Sequence, residues 1–179
     1  KNSNNKQSEN NTSIKKSHKK KKNIITIDPK SSIPLKSDNK IQIPSYVSKI
    51  LSQSFRNFVL LEEISIPSSV NSIGNSVFSG CTSLTKVTIN STITKISSKL
   101  FYGCSSLKQI KIPQSVIIIE LDAFSMCTPL TSIKIPISVL EIQPYAFYKC
   151  TNLQQITLPP SLKLIDEYCK KNNIDFNVG

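Results

Sequence analysis

Cysteine is the residue type of this chain best suited to metal binding or nucleophilic catalysis, and it recurs at a fixed interval. Four of the five cysteines stand 23 residues apart, at Cys81, Cys104, Cys127 and Cys150. If they occupy equivalent positions in successive parallel coils, neighbouring thiols form a row with a spacing of about 4.8 Å. A zinc ion needs four ligands around one point at about 2.3 Å, and a row cannot converge in this way. Disulfides between adjacent coils fit the distance better, but a repeated interior position favours reduced, buried thiols that act as small apolar side chains.

Other catalytic groups are scarce in the sequence. The single histidine, His18, lies among lysines near the start of the chain. Nothing there would hold it within hydrogen-bond distance of a nucleophile. The sequence contains no glycine-rich phosphate loop and no spaced carboxylate pair. We therefore expect a protein that is not an enzyme and that uses neither a cofactor nor a metal.

The interval of the cysteines is shared by several apolar series, and this shared period indicates a repeat protein. The same 23-residue step links Phe55, Phe78, Phe101, Phe124 and Phe147, and it links Leu61, Leu84, Leu107, Leu130 and Leu153. Two further series carry Val, Ile or Leu: Val47, Val70, Ile93, Val116, Val139 and Leu162, and Ile50, Ile73, Ile96, Ile119, Ile142 and Ile165. Stacking such units buries one continuous apolar column, because no unit can bury its apolar side alone.

The local pattern predicts the shape of one unit. Ile110 and Ile112 lie two residues apart and so on one face of a strand, which the following proline ends. Val116 and Ile119 suit a second short extended segment. The spacing of Ala123–Phe124 and Cys127 suits one turn of α-helix or 3₁₀ helix. The first copy begins near Lys40, and the last copy departs from the pattern, with a short helix expected over 165–171 and a closing strand over 174–176.

The motif Ile-Pro-x-Ser-Val-x-x-Ile, followed by Ala-Phe-x-x-Cys-x-x-Leu, resembles the BspA-like leucine-rich repeat family. It is carried here by Ile135-Pro136, Ser138-Val139, Ile142, Ala146-Phe147, Cys150 and Leu153. The resemblance implies an α/β-type leucine-rich-repeat solenoid that is right-handed, with a parallel sheet on its inner face and short helical or 3₁₀ turns. It also implies protein–protein or adhesive binding without a shared enzymatic activity. The predicted domain covers residues 40–179, as five full repeats and a C-terminal cap.

Residues 1–22 differ from the rest of the chain in composition. They carry a net charge of +7 out of the chain's +12, and Ile14 is their only aliphatic residue. Such a segment cannot bury enough apolar surface to fold, so we predict a disordered tail, joined to the solenoid by a linker and lead-in over 23–39. The basic cluster contains Lys15, Lys16, Lys19, Lys20, Lys21 and Lys22. Three interpretations stay open: a solubilising tail, a nuclear import signal, or a contact for nucleic acid or anionic lipid.

The outward positions of the inner strands are polar and mildly cationic. The predicted concave face includes Lys86, Thr88, Lys111 and Lys134. A solvated sheet face and a surface for an acidic or polar partner are both open interpretations.

A second candidate surface follows the proline of each unit. Most repeats carry polar residues there, whereas two adjacent repeats carry Ile117, Ile118, Leu121, Ile137 and Leu140. Exposed apolar clusters of this kind often mark interaction sites, although a local distortion of the coil could also bury them.

The leading functional hypothesis is a protein-interaction scaffold whose partner is another protein or a second copy of the chain. No sequence segment is apolar enough to cross a membrane. Reduced cysteines favour an intracellular location, nuclear or cytoplasmic. The alternatives are a cell-surface adhesion module with a signal upstream of Lys1 and a nucleic-acid binder that acts through the tail.

Overall fold

The computed structural model describes residues 25–27, 39–160, 162 and 175–178, the first and last of these segments by their backbone alone. Within these residues the chain forms short strands and no helix. The strands are β1 (Ile25–Ile27), β2 (Lys40–Gln42), β3 (Val47–Ile50), β4 (Glu63–Ile66), β5 (Ser72–Ile73), β6 (Lys86–Ile89), β7 (Lys95–Ile96), β8 (Ile118–Ile119), β9 (Ser132–Lys134), β10 (Glu141–Ile142), β11 (Gln155–Leu158) and β12 (Asp175–Val178).

The strands line two sides of a three-sided solenoid, and every strand pairing in the described residues is parallel. The first side carries the sheets β2-β4-β6 and β9-β11-β12, and the second side carries β1-β3-β5 and β7-β8-β10. Paired residues are one repeat apart in the sequence. For example, Ile64 pairs with Val87, and Ile133 pairs with Ile156. We number the turns of the solenoid as coil 1 (39–60), coil 2 (61–83), coil 3 (84–106), coil 4 (107–129) and coil 5 (130–152).

The sheet on the first side is interrupted in coil 4. Ile110 and Ile112 were expected to form a strand, but residues 107–112 form none. This expectation was wrong for one coil, although Ile112 is buried as predicted. Regular pairing would place Lys111 directly opposite Lys134, and like charges in that position disfavour pairing.

The sheet on the second side is interrupted between β5 and β7. In other coils a backbone amide forms the hydrogen bond at this position. For example, the amide of Glu120 donates to the carbonyl oxygen of Ile96 at 2.9 Å. At the equivalent point the side-chain hydroxyl of Ser97 donates to the carbonyl oxygen of Ile73 at 2.5 Å. The hydroxyl thus takes the place of a backbone donor, and the strand pairing stops there.

The third side consists of hydrogen-bonded turns, so the predicted helical or 3₁₀ turn near Ala123, Phe124 and Cys127 is not confirmed. Amides alternate between two acceptors: Phe124 donates to Ala146 in the next coil at 2.8 Å, and Cys127 donates to Phe124 within its own coil at 3.1 Å. A helix would need every amide to stay within the coil. Left-handed residues lie directly before this segment, at Asp122, and within it, at Met126, with φ of 56° and 62°, and they prevent a helical run.

The core confirms the predicted column. The phenylalanines of coils 1 to 5 are buried, and successive ring centroids lie 5.4 to 5.7 Å apart. The leucine, valine and isoleucine series are also buried in these coils. Stacking each residue type over its own copy therefore forms one continuous apolar interior.

The two ends of the described structure extend the column by backbone pairing. β1 pairs with β3, with Ile27 opposite Ile50, although it lies in the segment predicted as linker and lead-in. β12 pairs with β11, with Phe176 opposite Ile156, which confirms the closing strand predicted near that point. The helix expected over 165–171 lies outside the described residues.

Candidate interaction surface

The buried cysteines can be excluded as a reactive site. The thiols of Cys81, Cys104, Cys127 and Cys150 are buried and form no disulfide among the described residues. Burial raises the pKa of Cys81 to about 12, and it also raises the pKa values of Cys104 and Cys127 well above the ordinary range. A thiol that keeps its proton is a poor nucleophile. No cluster of metal-binding side chains occurs among the described residues.

The predicted apolar surface is solvent-exposed in the structure, apart from one residue. We call Ile117, Ile118, Leu121, Ile137 and Leu140 the apolar corner. Ile137 is 73% exposed and Leu140 is 62% exposed. Ile117 and Leu121 are also exposed, whereas Ile118 is half-buried. Ile137 and Leu140 are therefore the most accessible residues of the apolar corner.

Hydrogen bonds connect the two coils that supply the apolar corner. The amide of Leu140 donates to the carbonyl oxygen of Ile117 at 2.8 Å, so these two side chains leave neighbouring points of the backbone. Ile118 lies in β8 between Lys95 of β7 and Glu141 of β10. Leu121 follows β8, and its amide donates to Oε1 of Gln143 at 3.0 Å. The corner is thus held by regular backbone structure and is not a distorted loop.

Ion pairs neutralise several charges beside the apolar corner. Lys95 Nζ lies 2.8 Å from Glu120 Oε1, and Lys99 Nζ lies 3.8 Å from Asp122 Oδ2. The second oxygen of Glu120 accepts a hydrogen bond from the amide of Ser98 at 2.9 Å. These carboxylates are therefore occupied within the chain.

The predicted concave face is divided into two parts with different electrostatics. Lys86 and Thr88 line an open depression of about 340 Å³ over β2, β4 and β6. Glu63 lies in this depression, 3.2 Å from Lys40 Nζ and 3.7 Å from Lys86 Nζ. The charge of Lys86 is therefore partly compensated.

Lys111 and Lys134 form the other part, together with Lys108, which the sequence analysis did not select. All three are exposed, and none has an acidic partner within the described residues. We call these three residues the cationic row. A comparison of the repeats could have identified Lys108, because the equivalent residues of the two neighbouring coils, Thr85 and Thr131, are uncharged.

A row of serine hydroxyls was also missed from sequence. Ser69, Ser115 and Ser138 each donate to a carbonyl oxygen of the preceding coil at 2.7 to 2.8 Å. The serines are visible in the repeated Pro-x-Ser-Val motif, but the motif does not show which carbonyl oxygen accepts their hydrogen bonds. These hydroxyls stabilise the turn between the first and second sides.

The basic cluster of the tail lies outside the described residues, so its role stays a prediction; the cluster comprises Lys15, Lys16, Lys19, Lys20, Lys21 and Lys22. Within the described part of the chain, no helix is long and apolar enough to span a membrane.

Comparisons with known proteins agree with the repeat architecture. No curated protein matches the chain. Among solved structures, a leucine-rich repeat protein from T. pallidum is 30% identical, covers 77% of this chain and superimposes with a TM-score of 0.68. A leucine-rich cell surface protein from Faecalibacterium prausnitzii is 35% identical, with 79% coverage and a TM-score of 0.64. A leucine-rich repeat protein from Bacteroides ovatus is 30% identical, with 77% coverage and a TM-score of 0.60.

The chain is shorter than these relatives. It spans 68% of the T. pallidum chain, 41% of the B. ovatus chain and 36% of the F. prausnitzii chain. The model of the BspA type leucine-rich repeat region matches six copies, over residues 5–130 and 118–177. This match covers most of the chain and includes the motif residues that build the column. The protein therefore belongs to the BspA-type leucine-rich repeat family.

Proposed function

We propose that this chain is a non-enzymatic scaffold that binds another polypeptide. The observation that carries the proposal is the apolar corner, where Ile137 is 73% exposed and Leu140 is 62% exposed on a column whose other apolar series are buried. An exposed cluster of this kind is costly in water and often marks an interface. The repeat architecture supports the proposal, because solenoids present extended surfaces to partners.

The test compares three versions of the full chain as affinity baits: the wild type, Leu140→Lys and Leu60→Lys. Leu60 is the matched control, because it is 57% exposed but lies in coil 1, away from the apolar corner. Both variants should stay within about 0.5 kcal/mol of the wild type in unfolding free energy, since exposed positions tolerate change. We expect a bound polypeptide that the wild type and Leu60→Lys retain and that Leu140→Lys loses by at least about ten-fold.

Two results would contradict the proposal. If Leu140→Lys retains the same polypeptides as the wild type, the corner is merely tolerated surface. If Leu140→Lys unfolds the protein, the residue contributes to folding and its exposure has been misinterpreted. Sedimentation of the wild-type chain alone adds the case of self-association, in which the retained polypeptide is a second copy.

A second candidate, a cell-surface adhesion module, is supported by the F. prausnitzii relative, which is described as a cell surface protein and is 35% identical. The intracellular location expected from the reduced cysteines gains no support from the comparisons. Labelling of intact cells with a membrane-impermeant biotin reagent separates the two locations. Labelling of a tagged full-length protein at the level of a known surface protein supports the adhesion module, and labelling only after lysis supports the intracellular scaffold.

A further inference from the structure

The apolar corner and the cationic row lie on the same two coils. Lys134 and Ile137 are three residues apart, and three residues span at most about 10 Å. In the preceding coil Lys111 is followed by a turn in which the amide of Val116 donates to the carbonyl oxygen of Pro113 at 3.1 Å, and Ile117 comes directly after it. Coil 4 therefore places Lys111 and Ile117 on either side of one turn. In coil 5, Ile137 lies within the equivalent turn, which the amide of Val139 closes by donating to the carbonyl oxygen of Pro136 at 3.0 Å, and Leu140 follows it.

Within residues 39–160, no carboxylate is left to neutralise the cationic row. Every carboxylate of residues 39–160 is bonded elsewhere. Glu62 accepts from Asn39, Glu63 pairs with Lys40 and Lys86, Glu120 pairs with Lys95, Asp122 pairs with Lys99, and Glu141 accepts from Gln143. Among the described residues, no carboxylate therefore compensates the positive charge of Lys108, Lys111 and Lys134, which lie on the same coils as the apolar surface.

We infer that the apolar corner and the cationic row form one composite surface that binds an acidic, apolar polypeptide segment. This inference rests on the proposed function and states the chemistry of the partner. Leucine-like or isoleucine-like side chains of the segment cover Ile117, Ile137 and Leu140, while its carboxylates contact Lys111 and Lys134. The apolar contacts provide affinity, and the charge complementarity provides orientation and selection against basic partners.

Other occupants fit the surface less well. A second copy would bring a second row of lysines, and its residues 39–160 would offer no free carboxylate to meet the first row. Nucleic acid would contact the lysines through phosphate but would leave the apolar corner in water. An anionic lipid surface would meet both features, yet Glu141 is exposed next to Leu140. A continuous layer of anionic headgroups would repel its carboxylate, whereas a polypeptide segment can place a neutral side chain at that point.

The test uses fluorescent peptides of equal length with alternating Leu-Glu, Leu-Lys or Ser-Glu sequences, each titrated with the full chain and followed by anisotropy. We expect the Leu-Glu peptide to bind at least about ten-fold more tightly than the other two. The double variant Lys111→Glu with Lys134→Glu should weaken Leu-Glu binding by at least about ten-fold, because it replaces two attractions with two repulsions. Ile137→Ser should weaken it as well, since a large apolar contact is lost.

A matched double variant controls for the net charge of the chain, including its lysine-rich tail. Lys49→Glu with Lys149→Glu changes the net charge by the same amount. Lys49 lies on coil 1, and Lys149 lies on the third side of coil 5, away from the composite surface. Equal losses in the two double variants would overturn the inference, because binding would then follow total charge. Equal binding of the Ser-Glu peptide, or no binding of any peptide, would also overturn it.

Further outcomes test this inference separately from the proposed function. Preference for the Leu-Lys peptide with loss in Ile137→Ser would refute the acidic partner and leave the scaffold intact. Vesicles of phosphatidylcholine and phosphatidylserine test the lipid alternative: co-sedimentation that Ile137→Ser abolishes, without binding of the Leu-Glu peptide, would overturn the inference in favour of a membrane surface. The peptides could also bind without selectivity while the full chain still captures a partner that Leu140→Lys loses. This result would refute the acidic partner and leave the proposed scaffold function intact.

Discussion

The thiols of the column donate hydrogen bonds as well as filling space. Cys104 donates to the carbonyl oxygen of Phe78 at 3.2 Å, and Cys127 donates to that of Phe101 at 3.1 Å. Each bond links a coil to the preceding one at a buried position. Cysteine suits this role because its thiol is small and largely apolar, yet it still offers one weak donor. The period predicted the burial, but it could not show that each thiol has an acceptor.

Because the thiols are buried, the stability of the folded chain should fall at alkaline pH. The thiol of Cys81 has an ordinary pKa of 9.0, and burial raises the pKa to about 12 in the folded chain. Between these values the unfolded thiol loses its proton while the folded one keeps it, so the unfolded state is favoured as the pH rises. The stabilisation from the neutral thiol is complete below about pH 9 and is lost as the pH approaches about 12.

Cys81→Ala provides the measurement of this effect. The variant should be less stable than the wild type at about pH 8, because packing and a hydrogen bond are lost. The difference in unfolding free energy from urea titrations should shrink at about pH 10.5, since only the wild type loses the contribution of this thiol. The two proteins share every other side chain, so the difference between them isolates this thiol. A difference that stays constant with pH would contradict the shift.

Phe101 is the central ring of the phenylalanine row and a strict test of the column. Its ring stacks on Phe78 and Phe124, with centroids at 5.6 and 5.4 Å. We expect Phe101→Ala to lower the unfolding free energy by about 3–5 kcal/mol, because the cavity lies in a fully packed interior. Phe58→Ala is the comparison, since Phe58 is only partly buried at the end of the row. Equal costs for the two variants in denaturant titrations would contradict the packing.

At the scale of the element, the third side depends on a left-handed backbone at two repeated positions. One series is Gln53, Ser76, Lys99, Asp122 and Tyr145, and the other is Asn57, Gly80, Gly103, Met126 and Lys149. Only two members of the second series are glycine. Neither series could be recognised in the sequence, because most of these residues ordinarily favour a negative φ and give no sign of the turn they form.

Met126→Gly should stabilise the protein. A left-handed conformation costs a non-glycine residue about 1–2 kcal/mol, while glycine adds about 0.5–1 kcal/mol of chain entropy. Met126 has a φ of 62°, and the net gain should be about 0.5–1 kcal/mol in thermal unfolding. Thr82→Gly is the control, because Thr82 is exposed and has no positive φ, so it should lose stability. Stabilisation of both variants alike would refute the explanation.

Strand positions were predictable wherever the repeat is regular. The alternation that places Ile64 and Ile66 inside β4 is the same alternation that the sequence shows in the other coils. The interruption over 107–112 was not predictable, because Ile110 and Ile112 keep the pattern while their neighbours Lys108 and Lys111 change the charge. The alternation reports the burial of side chains and carries no information about pairing with the adjacent coil.

At the scale of the whole molecule, the candidate surface was only partly visible in the sequence. The apolar corner was found because Ile117 and Leu140 replace polar residues of other repeats. The grouping of Lys86 with Lys111 and Lys134 followed from position alone. The separation of these lysines became clear only when the pairing of Lys86 with Glu63 was visible.

The lysine-rich tail gives the whole molecule an uneven charge, with +7 of its +12 in residues 1–22. If this tail provides the contact with polyanions, the full chain should be retained on heparin, and retention should fall steeply with salt. Deletion of residues 1–22 should move elution to a much lower salt concentration. Lys111→Glu with Lys134→Glu changes the solenoid instead and should shift elution far less. Unchanged retention after the deletion would assign the polyanion contact to the solenoid.

The interrupted sheets also determine how the molecule responds to tension along its axis. Successive coils contact only their neighbours, so a force applied between the two ends passes through each junction in turn. The junctions on either side of residues 107–112 have strand pairing on the second side and turn bonds on the third, but no sheet on the first. A stretched column should part first at an interrupted junction and leave shorter stacks intact on each side. If one end of the protein were anchored and a partner were bound at coils 4 and 5, the coils would thus separate next to the binding site.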